Sequence, residues 1–228
     1  MVGTIAFLEN DLRAYAAKAG LGLQFIVKEA FLFELMELLG EHEFVLKGGT
    51  AINKGYLEGH QRFSEDLDYD TELGKGEVRK ALTGIGWRIS KEFFTRNSLG
   101  FLFEYDFGRV KDAVKVEFSF GIKGAAERRK AASDFLPISK RVEMYIFPEL
   151  NRQKELAFEQ RKEWKDLYDL YWMQELYPKE FKITGRKAFL EAISSMSIEK
   201  TANAYIPRAK RMNWEEVKEH MSSKWPNR

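Results

Sequence analysis

The segment VLKGGTAINKGYLEGHQRFSEDLDYD, residues 45–70, sets paired glycines ahead of a run of alternating acids. Glycines let a backbone approach a ligand closely, and the free N–H groups at a following helix start face an anion. In an extended segment residues two apart point the same way, so Asp66, Asp68 and Asp70 share one face while Leu67 and Tyr69 turn toward a core. A hard cation such as Mg²⁺ takes one or two carboxylates and completes its shell with water and phosphate oxygens. Gly48, Gly49 and Thr50 beside Asp66 and Asp68 therefore predict a phosphate cradle next to a metal site. KVEFSF adds Glu117 on a second predicted strand, giving the third acid of a two-metal phosphoryl-transfer arrangement. Asp70 reads as a strand-end or capping residue, and Lys47 as a solvated lysine beside a turn.

The elements that must position these residues follow from hydrophobic period. Apolar residues recur at helical spacing from Thr4 to Lys18 and from Leu23 to Gly40, with Gly40 at a helix stop. FVL before Lys47 predicts a short strand, and Thr50 to Tyr56 a helix directly after the glycines. DLDYD alternates as a strand, and Gly76 to Thr95 returns to helical spacing. FLFEYDF and AVKVEFSF predict paired strands around a turn at Gly108 to Asp112, and KRVEMYIF one more strand. From Pro148 onward the chain reads as helix, including Trp164 to Leu176, Arg186 to Met196 and Ile198 to Tyr205. The expectation is an α+β protein with a small mixed β-sheet, divided into 1–147 and a helical C-terminal domain at 148–228.

Composition narrows the chemistry. The 228 residues are 44% hydrophobic and 32% charged with a formal net charge of +2, enough chain to bury a core and too little charge to demand nucleic acid. Without cysteine there is no disulfide scaffold, thiolate-zinc site or cysteine nucleophile, and a reducing cytoplasm is the expected compartment. Glu9, Asp11 and Arg13 interrupt the N-terminal segment, so neither a signal peptide nor a membrane span is expected. His42, His60 and His220 are scattered and offer neither zinc spacing nor a serine's catalytic partner. Trp164, Tyr168, Tyr171 and Trp172 recur at helical spacing and read as core packing. ERRK at 127–130 and the run with Arg208, Lys210 and Arg211 are solvated faces or contacts to RNA phosphates.

KGGTAINKGY, RFSEDLDYD, KVEFSF and RKEWKDLYDLYW occur in an order that resembles the AbiEii/AbiGii-type toxin nucleotidyltransferases, a branch of the DNA polymerase β-like superfamily. The resemblance runs from about Phe44 to Met173. It implies a nucleotidyltransferase core preceded by helices and followed by a helical domain, with the site in the cleft between. It implies Gly48 and Gly49 at the nucleotide, with Arg62 and Ser64 beside them, and Asp66, Asp68 and Glu117 as catalytic metal ligands. Lys154 and Arg161 would contact the triphosphate, and Asp166 and Asp169 fall in the distal helix motif, with Asp169 expected to be catalytic. Gln153 stands where the family usually has Glu, and Lys165 where Arg is common. The implied reaction moves a nucleoside monophosphate from an NTP to an acceptor hydroxyl with Mg²⁺, in a toxin-antitoxin or abortive-infection setting. The acceptor is an RNA (tRNA) end or a protein hydroxyl; a nucleotide-binding regulatory module without turnover is the non-catalytic alternative. A cognate antitoxin protein is a further expected partner.

Overall fold

Apolar side chains on α2, Leu23–Leu39, leave almost no polar stripe: Ile26, Val27, Phe31, Leu32, Leu35, Met36 and Leu39 are all buried. A helix apolar around its girth belongs in the middle of a protein, and α2 runs across one face of a seven-stranded mixed sheet in the computed structural model. The structure describes residues 5–95, 97–199 and 202–224. The sheet order is β3-β4-β5-β2-β1-β7-β6, with β1 at Val45–Lys47, β2 at Asp66–Thr71, β3 at Ile89–Phe94, β4 at Ser98–Phe107, β5 at Val110–Phe120, β6 at Ala126–Ala132 and β7 at Ser139–Tyr145.

Alternation divides the sheet's two faces. Leu67, Tyr69, Leu99, Phe101, Val116 and Phe118 point into the core, where Tyr69 stacks on Phe118 with centroids 5.6 Å apart. The opposite face carries the acids of β2. There α3, Gly48–Tyr56, packs over β1, β2 and β6, and α5, Phe147–Arg161, and α6, Trp164–Leu176, pack against α3 in turn. The remaining helices are α1 at Glu9–Ala19, α4 at Lys75–Thr83, α7 at Arg186–Ser195 and α8 at Trp214–Ser223. From Phe147 on, every described element is helical.

The sheet is larger than its sequence pattern suggested, because two strands were hidden. The helix expected over Gly76 to Thr95 is helical only through Thr83; Ile89–Phe94 forms edge strand β3, whose exposed residues carry no clean alternation. ERRK is not a free charge run but the interior of edge strand β6. There Arg129 donates to the Gly55 carbonyl at 2.8 Å and lies over the Tyr56 ring at 4.0 Å. The helix expected from Thr50 begins two residues earlier, at Gly48. The opening helix begins at Glu9, and of the last expected segment, whose residues 200 and 201 lie outside the described ones, Ala202–Tyr205 forms a 3₁₀ turn.

Candidate active site

β1 is three residues long and hands the chain directly to α3, so the helix N-terminus opens at the sheet's centre. No side chain caps it, which leaves its first N–H groups available to an anion. Gly48 sits at φ +70°, and a Cβ there would lie 2.8 Å from Asp68 Oδ2. At Gly49 a Cβ would meet Arg62 Nη2 at 2.8 Å and Ser64 Oγ at 3.4 Å. Glycine at 48 is favoured by the left-handed backbone, and at both positions an added Cβ would press on a site side chain that would have to move. The Thr50 hydroxyl bonds the Asp66 carbonyl at 2.6 Å and the Ser64 hydroxyl at 2.9 Å, tying the helix to the start of β2.

β2 pairs antiparallel with β1, Lys47 opposite Asp68, and parallel with β5, Asp66 opposite Lys115 and Asp68 opposite Glu117. Adjacent residues in register show the same face, so Asp66, Asp68 and Glu117 share one. Burial, reinforced by the neighbouring Asp66 charge, pushes the Asp68 carboxyl up to about 6. Burial also raises Asp66, with the Glu65 charge adding to it and Lys115 opposing. Glu117 behaves differently. Burial would raise it, but hydrogen bonds from Lys115 and Ser98 outweigh that and hold it below the usual range; Lys115 Nζ lies 2.8 Å from its carboxylate. Asp70 is no strand-end cap. It lies inside β2, buried, bonded to Lys47 Nζ at 2.5 Å and accepting from the Tyr145 hydroxyl at 2.6 Å. Lys47, which also donates to Ser119 at 2.9 Å, is correspondingly not a simply solvated lysine.

Facing the acids across a cleft of about 460 Å³ are residues of α5 and α6: Lys154, Arg161, Lys165 and Asp166. Lys154 is buried, with Nζ 3.0 Å from Asp166 and 2.9 Å from Asp169. Burial disfavours its charge, yet the two carboxylates outweigh this and raise it. Arg161 also grips Asp166, at 2.9 Å, but its side chain stays 53% exposed. Lys165 forms no ion pair among the described residues; its ammonium lies 5.0 Å from the centre of the Tyr205 ring.

Asp169 does not reach the cleft as a catalytic group would. It is fully buried, accepts from Arg62 Nε at 2.9 Å and Nη2 at 2.7 Å, and from Asn53 at 3.0 Å. Burial would raise its carboxyl, but the Arg62 and Lys154 charges hold it low. All its acceptor capacity is engaged, and Arg62, whose Nη1 donates to the Phe63 carbonyl, is engaged with it. Asn53, one helical turn beyond Gly49, gave no sequence signal because only the packing of α3 on α6 brings it to Asp169. The basic run is elsewhere as well: Lys210 pairs with Asp134 at 3.1 Å, and Arg208, Lys210 and Arg211 are absent from the cleft lining. Trp164 and Tyr168 are buried, as the core reading of the aromatic stripe expected.

The β2 face supplies hard oxygen donors, and Asp66 and Asp68 line the cleft beside Gly48 and Gly49. Burial raises both carboxyls, and the nearby Lys115 charge opposes this without cancelling it. These residues fit a magnesium ion held by two carboxylates and substrate phosphate. Among the described residues no group of three or more acids or histidines is placed to hold a metal ion, so the structure does not gather Glu117 with Asp66 and Asp68 as the expected third ligand.

Acids able to gather a cation on one wall and cations able to hold an anion on the other define a phosphoryl-transfer class of site. The comparisons give that class a family. Residues 30–227 match the family described as "Nucleotidyl transferase AbiEii toxin, Type IV TA system", and the chain belongs to it as a nucleotidyltransferase. Among solved structures it is similar to MenT4, a nucleotidyltransferase toxin from Mycobacterium tuberculosis H37Rv, with TM-score 0.68 and 14% identity over 94% of this chain and 88% of that one. It is also similar to a nucleotidyltransferase structure from H. pylori, TM-score 0.63, 18% identity, covering 88% and 92%, and to JHP933 from Helicobacter pylori, TM-score 0.62, 20% identity, covering 88% and 90%. At these identities the likeness is one of fold. No curated protein matches the chain by sequence.

Proposed function

We propose that this nucleotidyltransferase moves a nucleoside monophosphate from an NTP to a hydroxyl at an RNA end, a tRNA end foremost, with Mg²⁺ held by Asp66 and Asp68. The observation that carries the reading is the division of the cleft: under-compensated acids on β2 face Lys154, Arg161 and Lys165 across the uncapped N-terminus of α3. When bound, the ion polarises the α-phosphate and offsets charge there. The backbone N–H groups of Gly48, Gly49 and Thr50 cradle phosphate oxygens. Arg161 and Lys165, the more accessible cations, neutralise the leaving pyrophosphate, and Lys154 adds its charge from behind them. Asp169 positions Lys154 and Arg62, and Arg62 lines the cleft beside Gly49. Glu117 takes the proton of the acceptor hydroxyl as the new oxygen–phosphorus bond forms and the bond to pyrophosphate breaks.

A nucleic-acid acceptor is favoured over a protein hydroxyl by Lys115. Its ammonium lies 2.8 Å from Glu117, setting a phosphate-binding cation beside the group that meets the hydroxyl. The toxin family to which the chain belongs makes a cognate antitoxin a proposed partner. Among the described residues no helix is long and apolar enough to cross a membrane. The test is incubation with each α-labelled NTP, Mg²⁺, total RNA and total protein. Label recovered on RNA 3′ ends is the expected result; label confined to polypeptide would replace RNA with a protein acceptor, and no transfer with any NTP would favour a regulatory module.

A further inference from the structure

The face of the sheet that bears Asp66 and Asp68 does not end at β5. It continues through β4 to edge strand β3, on the side of β2 away from the α5 and α6 cations. Register carries the line of sight across it: Asp68 stands opposite Glu117, Glu117 opposite Gly100, and Gly100 opposite Phe93. Gly100 has no side chain on this face, and a Cβ there would meet the Phe93 ring at 2.2 Å. The ring therefore lies across the glycine, partly buried. Lys115, itself 37% exposed, sits between the two groups: its ammonium is 2.8 Å from Glu117 and 5.6 Å from the centre of the Phe93 ring.

An aromatic ring beside a lysine is the pairing that holds single-stranded nucleic acid, the ring taking a base face and the ammonium a backbone phosphate. We propose that Phe93 and Lys115 form an acceptor shelf, on which the terminal nucleotides of a single-stranded RNA end dock with the 3′-hydroxyl toward Glu117. The assignment rests on the RNA reading above and deepens it. Placement supports the division of labour: donor triphosphate lies toward α5 and α6, acceptor toward β5 and β3, and the β2 acids lie between. Stacking on one ring is tolerant of base identity, so the shelf recognises an unpaired end more than a sequence. Lys115 then has two partners, Glu117 in the free protein and an acceptor phosphate in the complex, so acceptor docking releases the Glu117 carboxylate for its proton.

The test uses the full chain and a short unstructured RNA with a free 3′-hydroxyl, followed by fluorescence anisotropy, alongside steady-state transfer to the same RNA. Phe93→Ala and Lys115→Met are expected to weaken RNA binding and raise the RNA KM about tenfold each, with the NTP KM within twofold of wild type. Phe93→Trp should restore binding, which a merely structural role for the ring would not predict. Circular dichroism and melting temperature report whether each variant folds; should Phe93→Ala fail to fold, Phe93→Leu takes its place, removing the π-face while keeping apolar bulk. RNA binding unchanged in the folded variants overturns the shelf and leaves RNA transfer standing. Wild-type protein that neither binds nor labels RNA, while labelling polypeptide, overturns both.

Discussion

Two pairs of aspartates stand on opposite sides of the cleft, Asp66 and Asp68 lining it from β2 and Asp166 lining it from α6 with Asp169 buried behind, and their surroundings are nearly opposite. On β2, Asp66 and Asp68 are two residues apart, and both are raised because burial outweighs the opposing charge of Lys115. On α6, Asp166 and Asp169 are three apart, and Arg62, Lys154 and Arg161 surround them. Residue type is the same and the consequence differs. The β2 acids have unspent capacity to bind a cation; the α6 acids have spent theirs in holding cations already present. A buried ion network with every lone pair engaged is rigid and costly to break, so it suits a scaffold that aims Lys154 into the cleft. Acids held together without full compensation are a standing cost to the fold that a metal relieves.

The largest effect expected from this contrast is on transfer. Asp68→Asn should lower kcat by a factor on the order of a hundred or more while leaving the circular dichroism spectrum unchanged; wild-type turnover in a gel-based assay would break the assignment of the β2 pair as the metal wall. Asp169→Asn reverses the pattern, because it strands Arg62 as a buried charge and leaves Lys154 with Asp166 alone. It should cost about 3–5 kcal/mol of folding stability, read as a lower midpoint in urea denaturation. A stable Asp169→Asn protein that has lost only transfer would return Asp169 to a catalytic role.

Stability against pH sharpens the same comparison. Asp68 titrates near 6 in the folded chain against an ordinary 3.8, so ionising it costs the folded state as pH rises between those values. In chelator-treated buffer at pH 7, Asp68→Asn should therefore be more stable than wild type by on the order of 3 kcal/mol. The advantage should vanish near pH 4, and Mg²⁺ should stabilise wild type alone. Equal melting curves at pH 7 would mean that the acids are compensated after all.

A smaller effect is expected at Arg161, whose side chain is half-exposed. Arg161→Ala should weaken NTP binding by about tenfold, as for loss of a charge-assisted contact, with NMP binding unchanged by calorimetry. The least change is expected from replacing Arg208, Lys210 and Arg211 together with Ala. They lie outside the cleft lining, so NTP binding should be unaffected and the RNA KM should move less than for Lys115→Met; a larger shift would extend the acceptor path across the C-terminal segment.

Much of this was legible in the chain before folding. DLDYD is strand β2 because alternation sends Leu67 and Tyr69 into the core and the acids to the opposite face, where Asp70 is covered and Asp66 and Asp68 line the cleft, and a strand's period of two fixes which acids share a face. Paired glycines before a helical pattern located the turn, where an added Cβ would press on Asp68 and Arg62. The continuous apolar character of α2 required burial on all sides. These properties are local, and a periodic pattern encodes them directly.

Tertiary structure alone decided the rest. Edge strands β3 and β6 carry charged side chains on open sides, which masks the alternation that identifies an inner strand. Asp169 and Asp66 are the same residue type, and no spacing rule tells a saturated carboxylate from a vacant one. The difference arises from Arg62, 107 residues away from Asp169 along the chain, and Asn53, 116 away. The partner of Asp70 is likewise supplied by Lys47 on the neighbouring strand and by Tyr145 across the sheet. Sequence specifies which groups can ionise; the distances that set whether each is compensated come only from packing, because Coulomb energy and desolvation depend on separation in space.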